Sequence, residues 1–280
     1  MRCALLGAIV GDIIGSRFEF NNHRSKAFDL FTDECFATDD SIMSLAVAKA
    51  IMKTESTIDK SQGDYRLSSS YNHLLGEFAV KYMQQIGRNY PKCGYGGMFG
   101  SWVLSAKPEP YNSFGNGAAM RIGPAGFTAR TESEAISLSK TITSVTHDHP
   151  EGIKGAEATT IAVFLACQGF SKGDIRVRIS RDYYSMDFTI DEIHSSYAFN
   201  ETCQETVPQA IQCFLESDSF EDAIRTAVSL GGDSDTIAAI TGAIAEAYYG
   251  IPDDIRNKAL SYLDGELLAI FFEWEDFLKS

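Results

Sequence analysis

The sequence predicts an all-α protein, a compact multi-helix bundle, and three observations carry that prediction. Apolar residues recur at helical spacing along most of the chain, strand-like alternation is almost absent, and no low-complexity linker interrupts the pattern. The clearest stripe runs from Leu67 to Ile86, where apolar side chains fall at 67, 71, 74, 75, 78, 79, 82 and 86, one face of a 3.6-residue repeat.

Taken in chain order, "MRCALLGAIVGDIIG" resembles a signal peptide only superficially. Asp12 interrupts its apolar run and no small-residue cleavage site follows, so it reads as a buried first helix. A helical stripe covers 41–53, and 53–66 is a polar loop. Residues 87–130 are rich in Gly, Pro and aromatics, with little helix signal before 117. A loop this long in a globular chain is functional or disordered, and its Tyr, Phe and Trp content argues against disorder. It is expected to form long loops over an active site. Further stripes cover 132–145, 204–216 (with a Pro near its start), 220–229, 235–249 and 263–278. Pro150 suits the first turn of a long helix that Gly169 ends. Only "DFTID", at 187–191, suggests a short extended segment. The whole of 1–280 is read as one domain.

The 280 residues, 44% hydrophobic and 22% charged, can bury a large core. Apolar runs such as "IAVFLAC" fall far short of the roughly 20 residues that span a bilayer, so no membrane segment is expected. A net charge of −14 argues against binding to nucleic-acid backbones or anionic membranes, which need clustered Lys and Arg. Six cysteines (3, 35, 93, 167, 203 and 213) form no C-x-x-C pair. With no export signal, they fit reduced thiols and a cytoplasmic location.

Two clusters carry the chemistry. Thr38-Asp39-Asp40 and Asp233-Ser234-Asp235-Thr236 each open a predicted helix with two carboxylates and a hydroxyl. Capping accounts for either one alone, since Asp, Ser and Thr satisfy helix N-termini and acidic groups gain roughly 0.3–1 kcal/mol from the dipole. Together they offer more than caps require. If the two helix starts met, like charges about 4 Å apart would repel by roughly 4 kcal/mol at an effective dielectric near 20. Such a pocket must take up protons or hold cations, and oxygen-only anionic ligands suit Mg²⁺, Ca²⁺ or Mn²⁺ rather than zinc. Sequence patterning leaves open whether the helices meet.

The ordered set "GAIVGDIIGSRFE", "TDDS", "GNGAAMR", "THDHPEGIKGA" and "GGDSDTIAAITGAIAEA" resembles the ADP-ribosylglycohydrolase family. The resemblance covers most of the chain. It implies an all-α fold as a compact orthogonal multi-helix bundle, convergence of the two helix starts, and a centre of two Mg²⁺ ions, with Mn²⁺ as a substitute. The metal ligands carried over are Thr38, Asp39, Asp40, Asp233, Asp235 and Thr236. The activity implied is hydrolysis of the bond between C1″ of ADP-ribose and an acceptor, either a protein side chain such as Arg or Ser or a small ADP-ribosyl compound. Glu19 matches a loop glutamate beside the metals. Glu19, Asp39 and Asp235 are the candidate catalytic carboxylates, to stabilise positive charge at C1″ and accept the proton of the attacking water.

The substrate contacts implied are Ser113, Phe114, Gly115, Asn116 and Gly117 around ribose and diphosphate, with His147 nearby. Tyr95 or Phe99 is placed to stack on the purine; the alternative for both is a place in the core. Arginine-type members use a further acidic residue, and "GYGGMFGSWVLS" contains none. Two other readings stand beside the hydrolase: an inactive ADP-ribose-binding or structural relative, and a zinc-assisted hydrolase built on His147 and His149.

Overall fold

Every residue of the first helix, α1 (Leu6–Gly15), is buried, which its near-continuous apolar sequence requires. The computed structural model describes residues 5–61 and 63–279, so Cys3 lies outside the described residues. After α1 the chain builds α2 (Asp39–Thr57), α3 (Ser69–Gly87), α4 (Gly97–Leu104), α5 (Gly117–Met120), α6 (Gly123–Thr128), α7 (Glu132–Thr143) and α8 (Pro150–Cys167). It continues through α9 (Lys172–Asp182), α10 (Ile190–His194), α11 (Cys203–Glu216), α12 (Phe220–Leu230), α13 (Ser234–Tyr249), α14 (Asp253–Leu260) and α15 (Gly265–Phe277). The fold is all-α, and among the described residues the only β pairing is an isolated antiparallel bridge between Gly115 and Thr202.

The centre of the bundle is the antiparallel pair α1 and α13. Gly7, Gly11 and Gly15 recur every fourth residue along one face of α1 and meet α13 backbone. A Cβ on Gly7 would lie 2.1 Å from Gly242 O, one on Gly11 2.0 Å from Ala238 O, and one on Gly15 2.5 Å from Asp235 Cα. Only glycine allows two helix backbones to approach this closely. Glu246, near the C-terminal end of α13, accepts from Gly7 N at 2.7 Å and so satisfies a free N–H at the start of α1.

Two sequence expectations are corrected, and two further helices lie where none was predicted. "DFTID" forms no strand: Thr189, extended itself, caps α10 with Glu192 in a reciprocal capping box, Ile190 and Asp191 are helical, and the Glu216 carboxylate accepts from Ile190 N. Local capping outweighs a five-residue alternation. Within 87–130, α4 precedes residue 117 and buries Phe99, Trp102 and Val103, tertiary burial overriding a glycine-rich sequence. Helices α9 and α14, which no stripe announced, each bury two side chains: Ile175 and Ile179, and Ile255 and Ala259.

Among the described residues no helix is long and apolar enough to cross a membrane. The described cysteines 35, 93, 167, 203 and 213 form no disulfide with one another.

Candidate functional site

Two helix N-termini, α2 and α13, face one cavity of about 800 Å³. Each start has a local cause. Thr38, in extended conformation, caps α2 through its hydroxyl, which accepts from Asp40 N. Asp233 holds the N-cap position of α13 without a side-chain capping bond, after Gly231 and Gly232, whose positive φ values of 72° and 75° a side chain would strain. Asn22 accepts from Gly232 N at 2.7 Å and ties that turn to the loop following Glu19.

The two clusters touch. Thr236 Oγ1 donates to Asp40 Oδ2 at 3.3 Å, joining the start of α13 to the start of α2. Two triads of carboxylate oxygens, each with all atoms within 4.8 Å of one another, could hold a cation: Asp12, Asp40 and Asp235, and Glu19, Asp233 and Asp235. Asp235 belongs to both. Asp40 Oδ1 is buried with no hydrogen-bond partner, a costly arrangement that a cation would remedy.

Asp12 is the residue sequence reasoning missed. It is fully buried on α1 and accepts from Thr38 N at 2.9 Å, Thr38 Oγ1 at 2.7 Å, Ser41 N at 3.1 Å and Ser41 Oγ. The available signal was the acid itself, an Asp alone inside an apolar helix run.

Three expected ligands fall outside the carboxylate triads: Thr38, Asp39 and Thr236, the two threonines having no carboxylate to contribute. Thr38 is absent from the cavity wall, its hydroxyl engaged by Asp12 and the α2 cap. Asp39 lines the cavity beside Gly94 but stands outside both triads.

Burial shifts every one of these acids upward, and neighbouring carboxylates add to it for Glu19, Asp39, Asp40 and Asp235. Burial, then the charges of Asp233 and Asp39, push the Glu19 carboxyl up to about 8. Burial and then Asp12 raise Asp39 to about 7, while burial raises Asp12 to about 6 despite its hydrogen bonds. Asp40 and Asp235 lie well above the usual carboxylate range, for burial first and neighbouring carboxylates second. Asp233 is also raised by burial, with its hydrogen bonds opposing. Without a counter-ion the cluster holds protons at neutral pH, the alternative to cation binding that like-charge repulsion demands.

The 113–117 loop lines the same cavity. It pairs with the segment before α11: Asn116 N donates to Glu201 O at 2.7 Å and Cys203 N to Phe114 O at 3.0 Å. Ser113, Phe114, Gly115, Asn116 and Gly117 all line the cavity. Asn116 Nδ2 donates to Asp233 Oδ2 at 2.6 Å, so this loop also orients an acid of the cluster. His147 lines the wall, with Nε2 about a van der Waals contact from where Cβ atoms on Gly115 and Gly117 would stand.

The two aromatics expected to stack on a purine are packed into the protein. Tyr95 is absent from the cavity wall, its hydroxyl donating to Gly87 O at 3.3 Å and its ring edge-on to Phe99. Phe99 lines the cavity, but its ring already stacks on Trp102 and carries the Arg121 guanidinium 4.9 Å from its centroid. The more exposed apolar groups on the wall are Met98, Phe114 and Phe199. His149 serves the helix instead, since its Nδ1 accepts from Glu151 N and caps α8.

Comparison with known proteins matches the chain to a family. The chain is 25% identical to ADP-ribosylhydrolase ARH3 of Homo sapiens over 340 aligned residues, covering 96% of this chain and 91% of that protein. It is 27% identical to an ADP-ribosylarginine hydrolase of Pseudomonas putida (strain GB-1), covering 89% of this chain and 70% of the relative. A solved ADP-ribosylglycohydrolase-related protein complex shares the fold, with a TM-score of 0.65 at 20% identity over 99% of this chain and 96% of its own. The ADP-ribosylglycohydrolase family model matches residues 1–273, and the chain belongs to that family.

Proposed function

We propose that this protein is a divalent-cation-dependent hydrolase that removes ADP-ribose from an acceptor by cleaving the glycosidic bond at C1″. The observation that carries the reading is the junction of α2 and α13, where Asp40, Asp233 and Asp235 share one cavity and Asp40 Oδ1 has no partner. The names of the relatives, hydrolases of ADP-ribosyl compounds, support the reaction class.

The residues that would hold two Mg²⁺ ions are Asp12, Asp40 and Asp235 on one side and Glu19, Asp233 and Asp235 on the other. Asp39 and Thr236 stand at the same wall. When bound, such ions neutralise the carboxylates and orient hydroxyl and water oxygens. The protein supplies the remainder. The 113–117 loop and His147 line the same cavity, where the substrate diphosphate and ribose would lie, and would fix the anomeric carbon by orientation. Glu19, half-buried at the cavity wall, suits the role of proton carrier better than the enclosed Asp235, whose Oδ1 already accepts from Thr236 N at 2.9 Å.

ADP-ribosylated arginine and serine peptides, incubated with and without Mg²⁺, test the reading by released ADP-ribose. Release is expected only with the cation, and Asp235→Asn is expected to reduce it at least 100-fold, about 2.7 kcal/mol of barrier. In the absence of divalent ions the same variant is expected to unfold at a higher temperature than the parent at pH 8, because the neutral amide need neither take up a proton nor bury a charge on folding. Hydrolysis that ignores both the cation and the substitution would end the proposal.

A further inference from the structure

Arg121 is a buried cation with no part in the chemistry proposed so far. It caps the C-terminal end of α5, is 1% exposed, and is the only Lys or Arg among the described residues lining the cavity. A guanidinium this deep ordinarily pairs with a carboxylate. Here Nη2 donates instead to Thr146 Oγ1 at 2.6 Å and to His147 Nδ1 at 3.1 Å, and Nε has no partner. The Thr146 hydroxyl also lies 2.8 Å from His147 Nδ1.

The direction of these bonds is chemically determined. Arginine nitrogens only donate, so Nδ1 must present its lone pair to Arg121, and a neutral imidazole in that state carries its proton on Nε2. Thr146 agrees: its oxygen accepts from Arg121, and of the two acceptors its own proton can reach, His147 Nδ1 at 2.8 Å is nearer than Thr143 O at 3.4 Å. Nε2 is the ring nitrogen near Gly115 and Gly117, and the missing Cβ atoms leave it facing the cavity.

We infer that Arg121 is a positioning residue that locks His147 as the Nε2–H tautomer, making it a fixed hydrogen-bond donor to an oxygen acceptor of an anionic ligand. The same lock denies His147 a free lone pair in the cavity, so it serves neither as general base nor as metal ligand there. Burial and the adjacent guanidinium also hold the imidazolium form down, in keeping with a neutral donor. The identity of the acceptor, a phosphate or ribose oxygen of an ADP-ribosyl compound, rests on the proposed function; the tautomer does not.

The test is ¹⁵N NMR of protein labelled at histidine nitrogen, with ADP-ribose affinity measured alongside by calorimetry. The parent protein is expected to show His147 with protonated Nε2 and unprotonated Nδ1. Arg121→Gln is expected to mix the tautomers and weaken ADP-ribose about 10-fold, with Arg121→Lys restoring most of both. Thr146→Val, which keeps the guanidinium, is expected to leave the tautomer unchanged. Adding Arg121→Gln to His147→Ala is expected to cost little beyond His147→Ala alone, the mark of one residue acting through another. An Nδ1–H or mixed tautomer in the parent overturns the inference, and needs no variant to fold. A fixed Nε2–H tautomer in a protein that binds no ADP-ribose would sustain the inference while sinking the proposed function.

Discussion

Asp12 shows how one side chain serves the fold and the site together. Its two oxygens receive four donors from Thr38 and Ser41, which anchors the first turn of α2 and turns Asp40 toward Asp235. In Asp12→Asn an amide NH₂ faces groups that can only, or preferentially, donate. The variant is expected to lose about 2 kcal/mol of stability by urea unfolding, the cost of leaving buried donors unsatisfied. Its cation-induced rise in melting temperature is expected to shrink as well, because Asp40 loses its reference position. A variant as stable as the parent would show that the four bonds contribute nothing net. The sequence offered Asp12 only as an interruption of an apolar run, because a buried acid and a helix-facing acid look the same until its partners are known.

At the scale of the helix pair, three glycines four residues apart set the distance between Asp12 on α1 and Asp235 on α13. The Cβ of Gly11→Ala would stand 2.0 Å from a carbonyl oxygen of Ala238, and backbone cannot swing aside as a flexible side chain can. The helices must separate, at an expected cost of at least about 2 kcal/mol, typical of overpacking a close contact. Because the same displacement moves Asp12 away from Asp235, apparent Mg²⁺ affinity, read by thermal shift, is expected to fall at least 10-fold. Loss of stability with unchanged cation affinity would uncouple the interface from the site. By contrast, Gly76 meets nothing nearer than 3.9 Å, so Gly76→Ala serves as the tolerated control.

For the whole molecule the crowded acids make stability depend on pH and cations together. A carboxyl whose pKa is raised in the folded state binds its proton more tightly folded than unfolded. Its stabilising contribution is therefore present at low pH and fades as pH rises from the ordinary carboxylate range of about 4 through the folded values. Those values are about 6 for Asp12, about 7 for Asp39 and about 8 for Glu19. The cation-free protein is expected to melt several degrees lower at pH 8 than at pH 5.5, and millimolar Mg²⁺ to restore the difference at pH 8 while adding little at pH 5.5. A Mg²⁺ effect that is equal at both pH values would show that protons and cations do not compete for this cluster. The helical content, the long helix from Pro150 and the two acidic helix starts were legible in the sequence, since capping chemistry and 3.6-residue spacing are local properties that short-range sterics and hydrogen bonding impose. The sequence by itself determined which residue types could form an acidic centre and a loop of ligand-sized glycines and polar groups. Only the tertiary structure decided that Asp12 joins that centre, that Thr38 and Tyr95 turn away from the cavity wall, and that Arg121 stands behind His147. The physical reason is that burial, repulsion and hydrogen-bond direction depend on neighbours distant in the chain, and the closeness of α1 to α13 assigns those neighbours.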